Sequence, residues 1–280
     1  IHNRMIDKKF TEQLNKFNIL CVDECHLAGA DTYNKVITKL DIPIRIFLSG
    51  TAMDSESPIK RLNTIGLSGM VIKSILKKDL INMNISRKVK VFINYCQSKT
   101  EKNLFDYEDY YREFIMFSLQ RASIINKIVL DNLGKKILIA VDEIEHGNFI
   151  KEYLTYNKNN FKYKMGDIEF VHGEHSERTD IINDFKDGKI DVLISTRIMQ
   201  LGLNIQDIAV IIYAVGGKSA ISIKQWMGRG ERKSTKYDEL HFYDFFDDHK
   251  YLKNHSNKRI RIYEKENLEV IYNFDKNLIQ

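Results

Sequence analysis

Proline is scarce, 2 in 280 residues, and 14 glycines are too few for a collagenous or low-complexity chain. Cysteine is scarce as well. Three cysteines, an odd number at this length, argue against a disulfide framework and for a reducing compartment. No apolar run is long enough to span a bilayer, and Ala209 to Val215 falls far short. The first residues are polar, with no signal-peptide pattern. These absences point to a cytoplasmic protein without a membrane partner. No charge sign dominates: 43 basic against 38 acidic residues leave a formal +5, compatible with a polyanionic partner but no proof of one. Oligomeric state leaves no trace in the composition.

What is present is an alternation of helices and short buried strands. Ile6, Phe10, Leu14 and Phe17 recur at helical spacing, and Ile19 to Val22 is a short apolar run that stops at Asp23-Glu24. A helix is expected from Asp31 as N-cap, with Tyr33, Val36, Ile37 and Leu40 on one face. Pro43 marks a turn, and Ile44 to Leu48 reads as a strand ending at Ser49-Gly50-Thr51. Polar residues dominate 54–110, with a possible strand at Val89 to Ile93. From Tyr110 to Leu133 helical spacing returns. Strands then follow at Ile137–Val141, Ile168–Val171, Asp191–Ser195, Ala209–Tyr213 and Leu240–Tyr243. Helices are expected at Ile144–Leu154, Glu177–Phe185 and Ile221–Gly228. Such alternation implies a parallel sheet covered on both faces. At the end, Arg259–Lys265 and Leu268–Phe274 alternate around Glu266-Asn267 and read as a hairpin.

The string Val22-Asp23-Glu24-Cys25-His26-Leu27 places two carboxylates at the carboxyl end of a buried strand, the edge where open α/β sheets bind ligands. One carboxylate can hold Mg²⁺ through water, since Mg²⁺ prefers oxygen ligands and dehydrates reluctantly. Its neighbour can orient an attacking water, as phosphoryl transfer requires. An Asp-Glu pair by itself reads more simply as a solvated strand end; the downstream motifs tip the balance.

The string resembles motif II of the superfamily 2 helicases, the DExH box. Ser49-Gly50-Thr51-Ala52 resembles their motif III, and Ile137 to Gly147 their motif IV. His172-Gly173, with Arg178, Phe185 and Gly188, resembles the segment between motifs IV and V. Ile194-Ser195-Thr196, with Gly202 and Asn204, resembles motif V, although Arg197 stands where the family often has an acid. Gln225, Gly228, Arg229 and Arg232 fit the QxxGRxxR of motif VI. The order and approximate spacing hold over residues 15–245, and the likeness is to phage UvsW-type branch-migration helicases.

The resemblance implies ATP and Mg²⁺ as cofactors and DNA as partner, single-stranded, duplex or branched, with RNA as the alternative. It implies that Asp23 binds Mg²⁺ through water, that Glu24 activates the water, and that His26 couples nucleotide to nucleic acid. Ser49 and Thr51 would link motif II to movement between lobes and lie at the nucleic-acid side. His172, Gly173 and Thr196 would contact nucleic acid. Gly202 and Asn204 would lie at the nucleotide, with Gln225. Arg229 and Arg232 would reach the γ-phosphate, using fixed charge and a planar fork of donors. If the chain is viral, the compartment is the host cytoplasm.

The phosphate loop GxxxxGK[ST] is missing from the sequence. Gly217-Lys218-Ser219 lacks the first glycine, because Ile212 stands there. The expected fold is therefore α/β, with two RecA-like parallel-sheet lobes, the first only partly present, and a C-terminal basic hairpin. The boundaries are 1–80 for lobe 1, 81–109 for a linker and 110–280 for lobe 2 with its tail. The chain alone is expected to be inactive as an ATPase. Between His249 and Lys265 stand six Lys or Arg and one acid, Glu264. Lys258, Arg259 and Arg261 of this strip read equally well as phosphate contacts or as a solvated hairpin face. If the chain is complete, a non-catalytic nucleic-acid-binding module is the remaining alternative.

Other residues read more plainly. Cys21 and Cys25 beside His26 are expected in the core rather than at zinc, with no second ligand pair at structural-site spacing. His172 and His175 read as loop residues. Tyr107, Tyr110, Tyr111 and Phe114 are expected to pack a helix rather than stack on bases, and Trp226 to be packing.

Overall fold

The computed structural model describes the chain except residues 1–7, 52–53, 55–56, 76, 98–101, 162–165, 175, 197–204 and 280. It divides into two units, Ile1–Ile75 and Leu76–Gln280.

The first unit runs α1 (Lys8–Leu14), β1 (Ile19–Val22), a 3-10 turn (Cys25–Leu27), α2 (Asp31–Ile37), β2 (Ile44–Phe47) and α3 (Pro58–Ser68). β1 and β2 pair in parallel, from Ile19 opposite Ile44 to Val22 opposite Phe47. The expected helix from Asp31 forms, but its cap position is Ala30, because Asp31 already takes helical backbone. Helix α3 lies where the polar composition gave no element. Its signals are local: Pro58 fills the first helical position, and Ser57 Oγ accepts from the Lys60 N–H at 3.4 Å. Gly29 permits its approach, since a Cβ there would stand 2.3 Å from the Lys60 carbonyl oxygen. Cys25, Ala28, Val36, Ile37, Leu40 and Ile42 are buried. Cys21 is exposed, contrary to the core position expected for it, because β1 keeps only its alternate residues partly covered.

The second unit runs α4 (Lys77–Asn82), β3 (Lys88–Gln97), α5 (Tyr107–Tyr111), a π turn (Arg112–Met116), α6 (Leu119–Leu130), β4 (Lys136–Ala140) and α7 (Ile144–Phe161). It continues through β5 (Asp167–Val171), α8 (Arg178–Asp187), β6 (Ile190–Ser195), β7 (Ile208–Tyr213), α9 (Ala220–Gly230), β8 (Glu239–Asp248), α10 (Lys250–Lys265) and β9 (Glu269–Tyr272). The seven strands form one parallel sheet in the order β5-β6-β4-β7-β8-β3-β9. Every residue of β7 is buried, as a central strand covered on both faces requires. One face packs around Trp226, Phe242 and Phe246; the other around Ile125, Ile150, Leu154 and Ile194. Trp226 is fully buried packing.

Two expectations are corrected here. Residues 81–109 are not a free linker, because β3 lies inside the sheet between β8 and β9. The C-terminal hairpin is a helix followed by a strand: α10 covers Lys250–Lys265, and β9 pairs parallel to β3, Val91 opposite Val270. The reason is visible in burial. Leu252, Ser256, Arg259, Ile260 and Tyr263 form a helical stripe facing the sheet.

That stripe also corrects Arg259, which is fully buried and cannot track phosphates. Its Nε donates to Asp244 Oδ2 at 2.9 Å, and its Nη2 to the Phe245 carbonyl at 2.6 Å. Tyr263 Oη donates to Asp244 Oδ2 at 2.7 Å, and Arg121 pairs with Asp247, also buried. The Asp244 and Asp247 charges push the Arg259 guanidinium up, against the effect of burial. A charged cluster in the core is tolerated because its members are paired and hydrogen-bonded. On the same helix Lys258 is half-buried and Arg261 exposed. The tyrosines pack as expected: the Tyr110 ring lies 6.2 Å from Phe114, 4.4 Å from His249 and 5.6 Å from Tyr251.

Candidate functional site

In the first unit the chain leaves β1 at Val22 and turns sharply. Glu24 takes left-handed backbone, φ 52° and ψ 47°, an unfavourable region for a residue with a Cβ. Three hydrogen bonds hold the turn. The Glu24 N–H donates to Asp23 Oδ1 at 2.8 Å. The Cys25 N–H donates to the Leu48 carbonyl, and the Leu48 N–H to the Val22 carbonyl, both at 2.9 Å. The turn therefore ties the end of β1 to the end of β2, and sets both carboxylates at the carboxyl edge, exposed.

The same stitching brings the next motif into contact. His26, 8% exposed, has Nδ1 3.1 Å from Ser49 Oγ, 3.1 Å from Thr51 Oγ1 and 3.2 Å from Glu24 Oε2. The Thr51 N–H donates to Ser49 Oγ at 3.0 Å. One ring nitrogen serves these three oxygens by its tautomer. Protonated, Nδ1 donates, and the Glu24 carboxylate is the strongest acceptor; unprotonated, it accepts from the Ser49 or Thr51 hydroxyl. Thr51 is buried, with its hydroxyl on His26. Of the two roles expected of it, the geometry suits the linking one and not direct nucleic-acid contact. Burial pushes the neighbouring Cys25 thiol up, so it is an inert core sulfur.

The residues present suit Mg²⁺. Asp23 offers an exposed carboxylate, and among the described residues no cluster of three or more His, Cys, Asp and Glu forms a cage. Asp23 would thus hold Mg²⁺ as one protein ligand beside waters and nucleotide oxygens, the way this ion is commonly bound.

In the second unit His172-Gly173 follow β5 and Thr196 follows β6. Val171 and Ser195 are register partners, so the three stand side by side at the carboxyl edge of the sheet. The Thr196 N–H donates to the Val171 carbonyl at 3.3 Å. Gly202, Asn204, His175, Ala52 and Arg197 lie outside the described residues. Gly217-Lys218-Ser219 is the lead into α9, where Ser219 Oγ accepts from the Ser222 N–H at 3.3 Å. Its backbone is engaged from behind, the Gly217 carbonyl accepting from Arg259 Nη1 at 2.9 Å.

Gln225 and Arg229 are half-buried on α9, four residues apart and therefore on one face; the exposed Arg232 follows the helix. The helix runs from the carboxyl edge, after β7, to the amino edge, where Arg232 bridges Ser86. The candidate nucleic-acid residues and the far end of the arginine set thus lie at opposite edges of one sheet. Sequence reasoning missed Arg87, which grips that far end; a lone arginine in Ser86-Arg87-Lys88 shows no periodicity that would have marked it.

Comparison with known proteins finds likenesses among helicases. The helicase conserved C-terminal domain matches residues 120–234, from α6 to just beyond α9. The ATP-dependent DNA helicase uvsW of Enterobacteria phage T4 is 22% identical over 236 residues, covering 81% of this chain and 45% of that protein. The chain spans about half the length or less of the curated relatives it matches. Among solved structures, T4 UvsW aligns over 96% of this chain and 56% of its own, with a TM-score of 0.53 and 19% identity. The structure of S. cerevisiae Dbp5 bound to RNA and ADP BeF3 aligns over 93% of this chain and 60% of its own, with a TM-score of 0.62 and 16% identity. At these identities the structural likeness shows a shared fold. The second unit thus carries the match to a helicase C-terminal domain, and the chain as a whole is similar to superfamily 2 helicases such as UvsW.

Proposed function

We propose that this chain is part of an ATP-dependent helicase or translocase that acts on duplex or branched DNA during recombination or repair, in the cytoplasm. The observation that carries the reading is the cluster of Glu24, His26, Ser49 and Thr51 around one imidazole nitrogen. A carboxylate that only ended a strand would not need a buried histidine shared with two hydroxyls of the next strand end.

Asp23 would hold Mg²⁺ through water, and Glu24 orients the water that attacks. Bound Mg²⁺ would neutralise charge on the phosphates. His26 senses Ser49 and Thr51 on one side and holds Glu24 on the other, so a shift of the loop after β2 changes how firmly Glu24 is aimed. Arg229 and Arg232 supply fixed positive charge to the γ-phosphate, the role that the family resemblance gives them. His172, Gly173 and Thr196 offer backbone and hydroxyl donors along one sheet edge to a nucleic-acid strand. Such contacts fix register on the strand and carry little base identity.

The test is Glu24→Gln in the full-length protein. Hydrolysis is expected to fall by about 10²–10⁴-fold, the usual worth of a positioned acid or base. ATP binding should remain, because Glu24 acts in the chemical step. Turnover at the unsubstituted rate would refute the assignment. Stimulation of hydrolysis by branched DNA, compared with duplex RNA of the same length, tests the substrate.

A further inference from the structure

The end of α9 is fastened by one buried side chain. Arg87 is 6% exposed and stands immediately before β3. A guanidinium carries five N–H donors in a fixed fork, and here each has a main-chain carbonyl. Nε donates to Arg232 at 2.9 Å; Nη1 donates to Tyr237 at 3.2 Å and Glu239 at 3.4 Å; Nη2 donates to Ile208 at 2.7 Å and to Gly230. These acceptors belong to the end of α9, the starts of β7 and β8, and the loop between α9 and β8.

The last carbonyls of a helix have no partner within it. At α9 they are met from one dipeptide. The Gly230 and Arg232 carbonyls accept from the Arg87 guanidinium, and the carbonyl between them, Glu231, accepts from the Arg87 N–H at 2.7 Å and Ser86 Oγ at 3.2 Å. Lys77 Nζ adds an ion pair to the Glu231 carboxylate at 2.5 Å. None of the five guanidinium acceptors is a carboxylate, so burial pulls the Arg87 pKa down, opposed by Asp207 and Glu231. Ending a helix does not call for a buried cation; a glycine and water suffice. What this cation adds is a fixed relation between the end of α9 and the starts of three strands of the sheet.

We propose that Arg87 is a positioning residue for ATP hydrolysis: it clamps the main chain from Gly230 to Arg232, so that Arg232 is aimed before nucleotide arrives. This rests on the reading of the motif arginines given above. Misplacing a catalytic group by about 1 Å can cost about 10²-fold in rate, so a loosened clamp should appear in kcat while the fold survives.

The test is steady-state hydrolysis by the full-length protein carrying Arg87→Lys, which keeps the charge and loses the fork. The expected result is a fall of about 10- to 100-fold in kcat, with the KM for ATP and the Tm little changed. In an Arg232→Ala background the same substitution should cost almost nothing, because the group it aims is gone. Equal losses in both backgrounds, or no loss in either, would overturn the proposal, since a purely structural arginine acts independently of Arg232. If Arg87→Lys does not fold, Ser86→Ala with Lys77→Met loosens the same segment from its margin, and its kcat loss must likewise vanish in the Arg232→Ala background. If Arg232→Ala itself keeps full turnover, the reading of the arginines falls and the clamp with it. If Arg232→Ala is slow and Arg87→Lys is not, only the clamp falls.

Discussion

The two units present their candidate residues by different physical means. In the first, a two-stranded sheet leaves Ile19, Ile44, Ile46 and Leu48 between 44% and 56% exposed, and the site is held by a strained turn and a knot of short polar contacts. In the second, seven parallel strands bury two cores, and the candidate arginines stand on and just after a helix whose lead-in and last carbonyl are gripped by buried guanidinium groups. A two-stranded sheet is marginal by itself. The acids of the first unit therefore owe their placement to local hydrogen bonds, and the arginines of the second to a rigid scaffold. Changes in the core of the second unit should be felt as lost stability, and changes on the sheet of the first should scarcely be felt.

The largest effect is expected at Arg259. Arg259→Ala leaves Asp244 without its cation, while Asp247 keeps Arg121, and costs about 3–5 kcal/mol for a broken buried pair. Chemical denaturation of the chain should show it, with amide exchange localising the loss to β8 and α10. A change below about 1 kcal/mol would mean the cluster is better solvated than its burial suggests.

His146 gives the next effect. It is fully buried, its Nδ1 has no partner among the described residues, and burial, with the nearby Arg121 charge, pulls its pKa down to about 3. The folded value lies below the ordinary 6.5, so the unfolded chain takes up a proton that the folded chain refuses. This contribution to stability is complete above pH 6.5 and is lost as pH falls toward 3. The slope is at most about 1.4 kcal/mol per pH unit. His146→Leu should flatten the acid limb of the stability–pH profile, and an unchanged limb would place the proton uptake elsewhere.

A smaller effect separates surface charge from core charge on α10. Replacing Lys258 and Arg261 together should reduce the log–log salt slope of nucleic-acid binding by about 1.4–1.8, at about 0.7–0.9 for each phosphate contact. A slope that does not move would leave this helix out of the interface. The smallest effect belongs to the first unit. Ile46→Thr, at a half-exposed strand position, should change stability by no more than about 0.5 kcal/mol. A cost of several kcal/mol would mean that this face is covered in solution.

Much of this was legible in the sequence. The run through Tyr213 showed itself as a strand because apolar continuity is what a covered parallel strand needs, and Ile19–Val22 and Ile44–Phe47 stood out as short apolar-rich runs although their strands are covered only at alternate positions. Helix α10 did not. Arg259-Ile260-Arg261-Ile262 alternates like a strand, and two of the positions that complete its helical stripe are a buried serine and a buried arginine, which no hydropathy pattern counts as core. Helix α3 hid behind polar composition, although Ser57-Pro58 announced its start. At the site, the residue types of the DExH turn were legible through resemblance. The left-handed backbone at Glu24 and the convergence on His26 were not, since both depend on how the ends of two strands are stitched together.

The position of β3 bears on how the protein is made. Lys88 pairs with Glu239, and Val91 with Val270, so the first strand of the large sheet finds both neighbours some 150–180 residues further along the chain. At about 5–20 residues per second, a ribosome needs roughly 10–30 s to supply the intervening 150 or so residues. Through that interval Val89, Val91 and Ile93 emerge without the strands that will bury them. Long-range parallel pairing is slow even once the chain is complete. A nascent chain of this design depends on whatever shelters a hydrophobic strand until its partners arrive, and stalled or shortened translation products should be conspicuously prone to aggregate.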